Sequence, residues 1–242
     1  MPRFFVEPEC ICGDTAFVRG GDAVHIGRSL RMRLGDEITL CCMGTEYQCK
    51  LIAVSDEECR CEILSSHTGD CEPNIKLTLF QAVPKSDKLE FIVQKAVELG
   101  AAEICPVLTS RCVSRPDGKS FRKKLERLNK IALEAAKQCG RSIVPKVTGI
   151  ISLDECIKRL SDMDMGLICY ERGGENLRNV FSGKSPETVG VLIGSEGGFD
   201  SAEAEKCISS GVVSIGLGKR ILRCETAPIA AVSIIMNLTG NI

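Results

Sequence analysis

Residues 75 to 242 alternate between apolar segments of strand length and amphipathic segments of helix length. Runs such as "IKLTLFQAV" and "VGVLIG" have the length and the β-branched content of buried strands, whereas the longer stretches between them repeat apolar residues every three or four positions. Parallel strands need crossover connections, which are usually helices, so this alternation predicts a mostly parallel sheet covered on both faces. The second part of the chain is therefore predicted to be an α/β domain.

The first 70 residues show a two-residue periodicity instead. Short alternations such as "EYQCKLIAV" and "RCEIL" are separated by turn residues, with Gly-Asp pairs at 21–22 and 35–36. This pattern predicts hairpins and a compact β module in the form of a small barrel. We place the boundary within "GDCEP", so that residues 1–72 and 73–242 are the two predicted domains.

The composition is that of an ordinary globular protein, with 242 residues and a formal net charge of -1. Fifteen cysteines without a CxxC pair, accompanied by only two histidines, argue against a zinc site and a disulfide scaffold. We expect a reduced, cytoplasmic protein that binds no metal and uses cysteine as a small apolar residue. The apolar run "APIAAVSIIM" is too short to span a bilayer, so no membrane role is expected.

Two glycine-rich segments follow predicted strands near the C-terminus, "LIGSEGGF" at 192–199 and "IGLGKRILRCETAP" at 215–228. The chain contains no P-loop, no GxGxxG turn after its first strand and no GxSxG elbow, so the usual phosphate, dinucleotide and hydrolase sites lack support. Because ligands of parallel sheets bind beyond the carboxyl ends of strands, the two segments are predicted to line one pocket for a flat ligand. Simple tight turns are the alternative, since glycine commonly serves turns.

A basic stretch lies between residues 111 and 146, where eleven basic and three acidic side chains give a local net charge of +8. The first 70 residues, in contrast, have a net charge of -5. The predicted helix in the basic stretch has an apolar stripe formed by Leu125, Leu128, Ala132, Ala135 and Cys139. A solvated helix face and a nucleic-acid surface are the two interpretations of its basic face, and "GRSLRMR" is the candidate RNA contact of the first domain.

Six segments occur in one order along nearly the whole chain: "MPRFFV", "HIGRSLRMRLGDEI", "QAVPKSDKLEFIVQKAVELGAAEICPV", "AAKQCGRSIVPKV", "LIGSEGGF" and "IGLGKRILRCETA". Together they resemble the RsmE family of 16S ribosomal RNA uridine N3-methyltransferases. The resemblance implies a PUA-like RNA-binding β-barrel followed by a SPOUT methyltransferase domain with a C-terminal trefoil knot. It also implies S-adenosylmethionine (SAM) as methyl donor, 16S rRNA of the small ribosomal subunit as substrate, and a homodimer.

The two glycine-rich segments and the resemblance together predict the site residues. The predicted cofactor-binding residues are Leu192, Ile193, Gly194, Glu196, Gly197, Gly198, Ile215, Leu217, Gly218, Ile221, Leu222 and Arg223. The predicted RNA-binding residues are Arg3, Arg28, Arg31, Arg33, Lys123, Arg127, Lys130 and Arg141.

Uridine N3 is protonated at neutral pH and is a poor nucleophile, so a base or a stabilising cation is expected beside it. Glu196 and Glu225 are candidate bases, and Arg223 is a candidate stabiliser of the anionic uridine. Each has a structural alternative: Glu196 could brace its own loop, Glu225 could cap the last helix, and Arg223 could bridge a dimer or hold a phosphate.

One position departs from the family, which commonly has proline where Ser195 stands, so the rigidity of this loop is open. Two other functions also stay open. One is a non-catalytic RNA-binding or ribosome-assembly protein with the same fold, and the other is a SPOUT enzyme that acts on tRNA or at a ribose 2'-hydroxyl. The two intact glycine-rich segments favour an enzyme, and the full-length resemblance favours ribosomal RNA and a base nitrogen.

Overall fold

The computed structural model describes residues 1–242, which separate into two compact units. The first unit contains Met1–Glu72 and Ala136–Val144, and the second contains Pro73–Ala135 and Pro145–Ile242. Residues 136–144 therefore group with the first unit, although sequence periodicity placed them in the second. None of the helices combines the length and the apolar character that crossing a membrane requires.

The first unit is built on a mixed six-stranded sheet in the order β1-β4-β5-β6-β3-β2, in which β1 and β4 are parallel and the other pairs are antiparallel. Its strands are β1 (Arg3–Phe5), β2 (Ile11–Cys12), β3 (Thr15–Arg19), β4 (Glu37–Cys42), β5 (Thr45–Val54) and β6 (Glu58–Thr68). Phe4, Ile38, Leu40, Cys49 and Cys61 belong to its core. Ten of the fifteen cysteines are buried, as expected for small apolar residues.

The hairpin predicted at 21–22 is wrong, because these residues begin a helix. Helix α1 (Gly21–Val24) continues into a π-helical turn over His25–Ser29. Ala23 and Ile26, which are three positions apart, are both fully buried in the core of the unit. The apolar spacing in this segment therefore follows the helical period, which outweighs the turn signal of its Gly-Asp pair.

The Gly-Asp pair at 35–36 turns the chain but does not join two strands. The Gly35 N–H donates to the Leu51 carbonyl at 2.8 Å, which sets the turn beside β5 just before β4 begins. The hairpin between β4 and β5 lies instead at Met43 and Gly44, whose φ angles are 48° and 85°. Gly44 is a usual residue for such a turn, but methionine is unusual at positive φ, so the sequence signal for this turn is weak.

Two arginines that were predicted to bind RNA form ion pairs within the first unit, where Arg3 is partly buried and Arg141 is buried. Arg3 Nη1 is 2.7 Å from Glu46 Oε1, and Arg141 Nη2 is 2.6 Å from Glu72 Oε2. The Arg141 side chain is only 5% exposed, and the backbone N–H of Ser142 also donates to Glu72. Breaking such a pair would leave a buried charge without a partner. We therefore remove Arg3 and Arg141 from the predicted RNA contacts.

The second unit contains an eight-stranded sheet whose strands are all parallel, which confirms the predicted α/β class. The order is β10-β8-β7-β13-β11-β14-β12, with β9 paired to β8. Its strands are β7 (Lys76–Ala82), β8 (Glu103–Leu108), β9 (Lys146–Val147), β10 (Ile151–Ser152), β11 (Met165–Cys169), β12 (Glu175–Asn176), β13 (Thr188–Ile193) and β14 (Val213–Gly216). The helices are α2 (Lys88–Glu98), α3 (Gly118–Cys139), α4 (Leu153–Ser161), α5 (Leu177–Phe181), α6 (Ser201–Ser209) and α7 (Thr226–Leu238).

Local signals located several of these helix ends. Helix α6 begins with a capping box, in which the Asp200 carboxylate accepts the Ala202 N–H while Glu203 accepts the Asp200 N–H, both at 3.1 Å. The buried stripe of α3 is partly different from the predicted one. Leu128, Ala132 and Ala135 are buried as expected, Leu125 and Cys139 are half-buried, and Phe121 and Ala136 complete the stripe.

Candidate active site

A cavity of about 850 Å³ lies at the carboxyl ends of β13, β11 and β14, three neighbouring strands of the parallel sheet. Its walls come from the ends of these strands and the loops that follow them, over residues 193–199, 169–176 and 215–224. This is the edge at which open α/β sheets bind ligands, and the volume is in the usual range of small-molecule sites, roughly 300 to 1,000 Å³. The structure thus brings the two glycine-rich segments into one cavity.

Eleven of the twelve predicted cofactor-binding residues line this cavity, and Leu192 does not. Leu192 is fully buried and packs in the hydrophobic core with Phe80 and Ile168. Successive side chains of a strand point to opposite faces, so a prediction that takes neighbouring strand residues together includes one that faces away. Leu192 is therefore a core residue rather than a ligand contact.

The third wall was missed by sequence reasoning. The segment after β11 contributes Tyr170, Glu171 and the pair Gly173–Gly174 to the cavity. A signal for it was present, since Gly173–Gly174 follows the apolar segment "MGLIC" in the same way that the other two loops follow their strands.

The glycines of the cavity have different structural roles. A Cβ on Gly174 would lie 2.5 Å from the backbone carbon of Ile215, so the loop after β11 can approach strand β14 only without a side chain there. Gly198 has a φ of 64° and donates its N–H to the Ser195 carbonyl, so it serves a tight turn. Gly216 has free space around it, because a Cβ would meet only the Gly174 oxygen, at 3.8 Å. Its missing side chain leaves the cavity open.

Glu196 is held by α2 and by the segment just before it. Its carboxylate accepts the Lys85 N–H at 3.1 Å and lies 3.1 Å from Lys88 Nζ. Partial burial raises the pKa of Glu196, but hydrogen bonds from backbone N–H groups and from Lys88 outweigh it and leave the pKa below its ordinary value. A carboxylate bound in this way is a weak proton acceptor, so the geometry favours the bracing role of Glu196 over that of a base.

Glu225 also forms an ion pair with Lys88. Its carboxylate lies 3.2 Å from Lys88 Nζ and accepts a hydrogen bond from the Cys224 thiol, also at 3.2 Å. Burial raises the pKa of Cys224 to about 12, so the thiol stays protonated and can donate. The hydrogen bond from Cys224, with that from Lys88, lowers the pKa of Glu225. Glu225 stands at the N-cap position of α7, but its side chain makes no capping hydrogen bond.

Arg223 differs from the two glutamates because its side chain is exposed at the cavity and forms no ion pair with the protein. Its backbone is fixed, since the Arg223 carbonyl accepts the N–H groups of Thr226 and Ala227 at 2.8 and 2.9 Å. The guanidinium is therefore a charged group that remains available to a ligand.

Ser195 is tied to the segment that follows β8. It is buried, and its hydroxyl donates to the Arg111 carbonyl at 3.3 Å. The Arg111 guanidinium in turn donates to the Gly197 carbonyl at 3.0 Å and lies 3.3 Å from Asp200 Oδ2. These contacts hold the loop at the position where the family commonly has the fixed φ of proline.

The other predicted RNA-binding residues divide into those that form an ion pair and those that do not. Arg28 forms an ion pair with Asp56, and Arg127 Nη2 lies 2.7 Å from Glu90 Oε2. Among the predicted RNA-binding residues, the exposed side chains without an ion pair are those of Arg31, Arg33, Lys123 and Lys130.

Comparison with known proteins identifies the class to which this fold and cavity belong. A family model described as an RNA methyltransferase domain matches residues 71–236, and one described as an RNA methyltransferase PUA domain matches residues 18–64. The protein is thus an RNA methyltransferase with a PUA domain. Ribosomal RNA small subunit methyltransferase E of Bacillus subtilis (strain 168) is 36% identical over 97% of this chain and 96% of its own length. The chain belongs to the ribosomal RNA small subunit methyltransferase E family, which confirms the resemblance found in its sequence.

Further relatives also match most of the chain. Ribosomal RNA small subunit methyltransferase E of Mesomycoplasma hyopneumoniae (strain 232) is 35% identical over 82% of this chain and 85% of its own length. The crystal structure of ribosomal RNA small subunit methyltransferase E from Neisseria gonorrhoeae bound to SAM has a TM-score of 0.85 and 31% identity, and covers 98% of each chain. A Legionella pneumophila protein in complex with the bound cofactor SAM has a TM-score of 0.86 and 29% identity over 97% and 96% of the two chains.

Proposed function

We propose that this protein is a SAM-dependent methyltransferase that modifies N3 of a uridine in 16S rRNA of the small ribosomal subunit. The observation that carries the proposal is the glycine-lined cavity at the strand ends, in a fold whose structural relatives bind SAM. The first unit would act as the PUA-like RNA-binding domain and the second as the SPOUT methyltransferase domain.

The residues of the cavity fit SAM. Leu217 and Leu222 provide apolar surface for an adenosine, and backbone groups of the glycine-rich loops are accessible to its polar atoms. Glu171 and Glu175 also line the cavity, and neither forms an ion pair with the protein. Unpaired carboxylates suit a ligand that carries an ammonium and a sulfonium group.

SAM supplies a methyl group that is already activated on a cationic sulfur, so the protein mainly has to align the reactants and manage the proton of N3. Glu196 and Glu225 are paired with Lys88 and have lowered pKa values, so both are weak acceptors for this proton. Arg223 is the available cation, and it stabilises the uridine anion that forms when the N3 proton leaves to solvent.

The methylation itself is tested with purified protein, SAM and small ribosomal subunits that lack the modification. Nucleoside mass spectrometry should then detect 3-methyluridine in 16S rRNA. A methyl group on a ribose, or one found only with tRNA as substrate, would favour the other SPOUT activities. Binding of RNA without any methyl transfer would favour a ribosome-assembly protein.

Two lysines of α3, Lys123 and Lys130, are the proposed phosphate contacts of the second unit, because both are exposed and unpaired. Arg31 and Arg33 have the same properties in the first unit. Arg28 and Arg127 would contribute less, since each must first give up its ion pair.

Reversing the charge of both α3 lysines, Lys123→Glu with Lys130→Glu, should weaken RNA binding. Each lost phosphate contact lowers the steepness of the dependence of log K on log salt by roughly 0.7 to 0.9, so a total reduction of about 1.5 is expected. Binding titrations at several salt concentrations measure this slope. The matched control is Lys158→Glu with Lys184→Glu, which changes the net charge equally at exposed positions outside the cavity. If both pairs leave the slope unchanged, the α3 face is only solvated.

We also propose a homodimer that covers the outward face of α7. No charged residue occurs between Thr226 and Leu238, and Ile234 on this helix is 38% exposed. Sedimentation velocity should give the mass of two chains, and a single-chain mass at micromolar concentration would contradict the dimer. The trefoil knot remains a prediction of the family resemblance, and the cytoplasmic location remains a prediction from the cysteine usage.

A further inference from the structure

Lys88, at the first position of α2, lies between two of the loops that form the cavity. Its Nζ is 3.1 Å from Glu196 Oε1 in the loop after β13, and 3.2 Å from Glu225 Oε2 in the segment that leads from β14 to α7. The same Nζ is 3.6 Å from Cys224 Sγ. The lysine side chain is 34% exposed and lines the cavity. One ammonium group therefore joins two loops that are far apart in the sequence.

The Lys88 contact places one positive charge between two negatively charged carboxylates. Glutamate side chains are ionised near neutral pH, and the pKa values of Glu196 and Glu225 are lowered further. Lys88 is the cation that forms an ion pair with each of them. Both carboxylates lie within 3.2 Å of the same ammonium group. Without Lys88 they would repel each other, and we expect the two loops to separate.

The segment just before α2 is held in a fixed conformation that positions Lys88. The Lys85 N–H donates to the Glu196 carboxylate at 3.1 Å, so backbone and side chain of one segment hold the same group. Ser86 has a φ of 55°, an unfavourable angle for a residue other than glycine. Its carbonyl accepts a hydrogen bond from Lys124 Nζ at 3.1 Å, which helps to keep the strained turn in place.

We propose that Lys88 is a positioning residue of the methyl-transfer site. By bridging Glu196 and Glu225, it holds the loops after β13 and β14 at the separation that SAM requires. The proposal rests on the proposed function, because it presumes that SAM is the ligand of the cavity. It assigns Lys88 an action through the two glutamates and no direct contact with the ligand.

A double-mutant cycle tests this action. Lys88→Met should raise the Kd for SAM about tenfold in the wild-type background, and by less than about threefold when Glu196→Gln and Glu225→Gln are already present. At saturating SAM, the single-turnover rate of Lys88→Met should stay within about threefold of wild type, since bound cofactor holds the loops itself. Isothermal titration calorimetry gives the affinities.

The control is Lys95→Met, which removes a lysine from the same helix that pairs only with Glu98 and does not line the cavity. It should leave the affinity for SAM unchanged. If Lys88→Met does not fold, Lys88→Gln replaces it in the cycle, with the same expected loss of effect when the glutamates are changed. An equal loss of affinity in both backgrounds would overturn the proposal and place Lys88 against the ligand. Wild-type protein that binds no SAM would instead refute the proposed function.

Discussion

Gly216→Val is expected to raise the Kd for SAM about a hundredfold, or by about 2.7 kcal/mol, while the protein stays folded. Gly216 is the last residue of β14 and lines the cavity. A Cβ there would meet only the Gly174 oxygen, at 3.8 Å, so the valine extends into free space instead of into the fold. The added methyl groups therefore occupy volume that the ligand needs. Calorimetric titration with SAM measures the loss.

Gly149→Val is the matched control. Gly149 belongs to the same unit, does not line the cavity, and has no atom within 4 Å of an added Cβ. It should bind SAM as the wild type does. Gly198→Val would be a less specific test, because the Cβ would lie 2.8 Å from Glu171 Oε1 at a φ of 64° and would distort the loop itself. Unchanged SAM affinity in Gly216→Val would show that the ligand lies elsewhere.

Arg223→Ala is expected to slow methyl transfer by roughly 100- to 1,000-fold at saturating SAM, the usual effect of removing one preorganised donor from a developing anion. The Arg223 side chain is exposed at the cavity without an ion pair, so its loss should cost little stability. A single-turnover assay with unmethylated small ribosomal subunits measures the rate of the chemical step.

Two comparisons make this result specific. Lys184→Ala removes one exposed positive charge from the same unit outside the cavity and should leave the rate unchanged. Glu196→Gln should keep the rate at saturating SAM within about threefold, because the carboxylate is ion-paired with Lys88 and we expect it to brace its loop rather than to act as the base. A rate that collapses in Glu196→Gln but not in Arg223→Ala would reverse the two roles. A loss of RNA affinity with a normal rate would assign Arg223 to a phosphate.

The predictable parts of the fold are those whose signals are local and repeated. Helix α3 spans 22 residues, so its apolar stripe recurs often enough to be recognised even though Leu125 and Cys139 are only half-buried. Strands β12 and β10 have two residues each and show no period at all. The two-residue turn at Met43 depends on a backbone angle that its residue type does not indicate.

Residue type also fails to show which charged groups are free. Arg141 and Lys130 both belong to the basic stretch, yet Arg141 is 4% exposed beside Glu72 whereas Lys130 faces solvent without a partner. Arg141 forms its pair with a residue 69 positions away in the sequence. A local net charge counts both residues equally, and only the folded chain separates them.

The sequence by itself determined the α/β class, the family, and the two glycine-rich segments, because each of these is encoded in short stretches of neighbouring residues. The tertiary structure decided the third wall of the cavity, the core position of Leu192, and the engagement of Glu196 and Glu225 by Lys88. These features depend on contacts between segments that are distant in the sequence, such as the contact between Lys85 and Glu196, which are 111 positions apart. A residue's chemistry sets which partners it can bind, but only the packing of distant segments selects one of them.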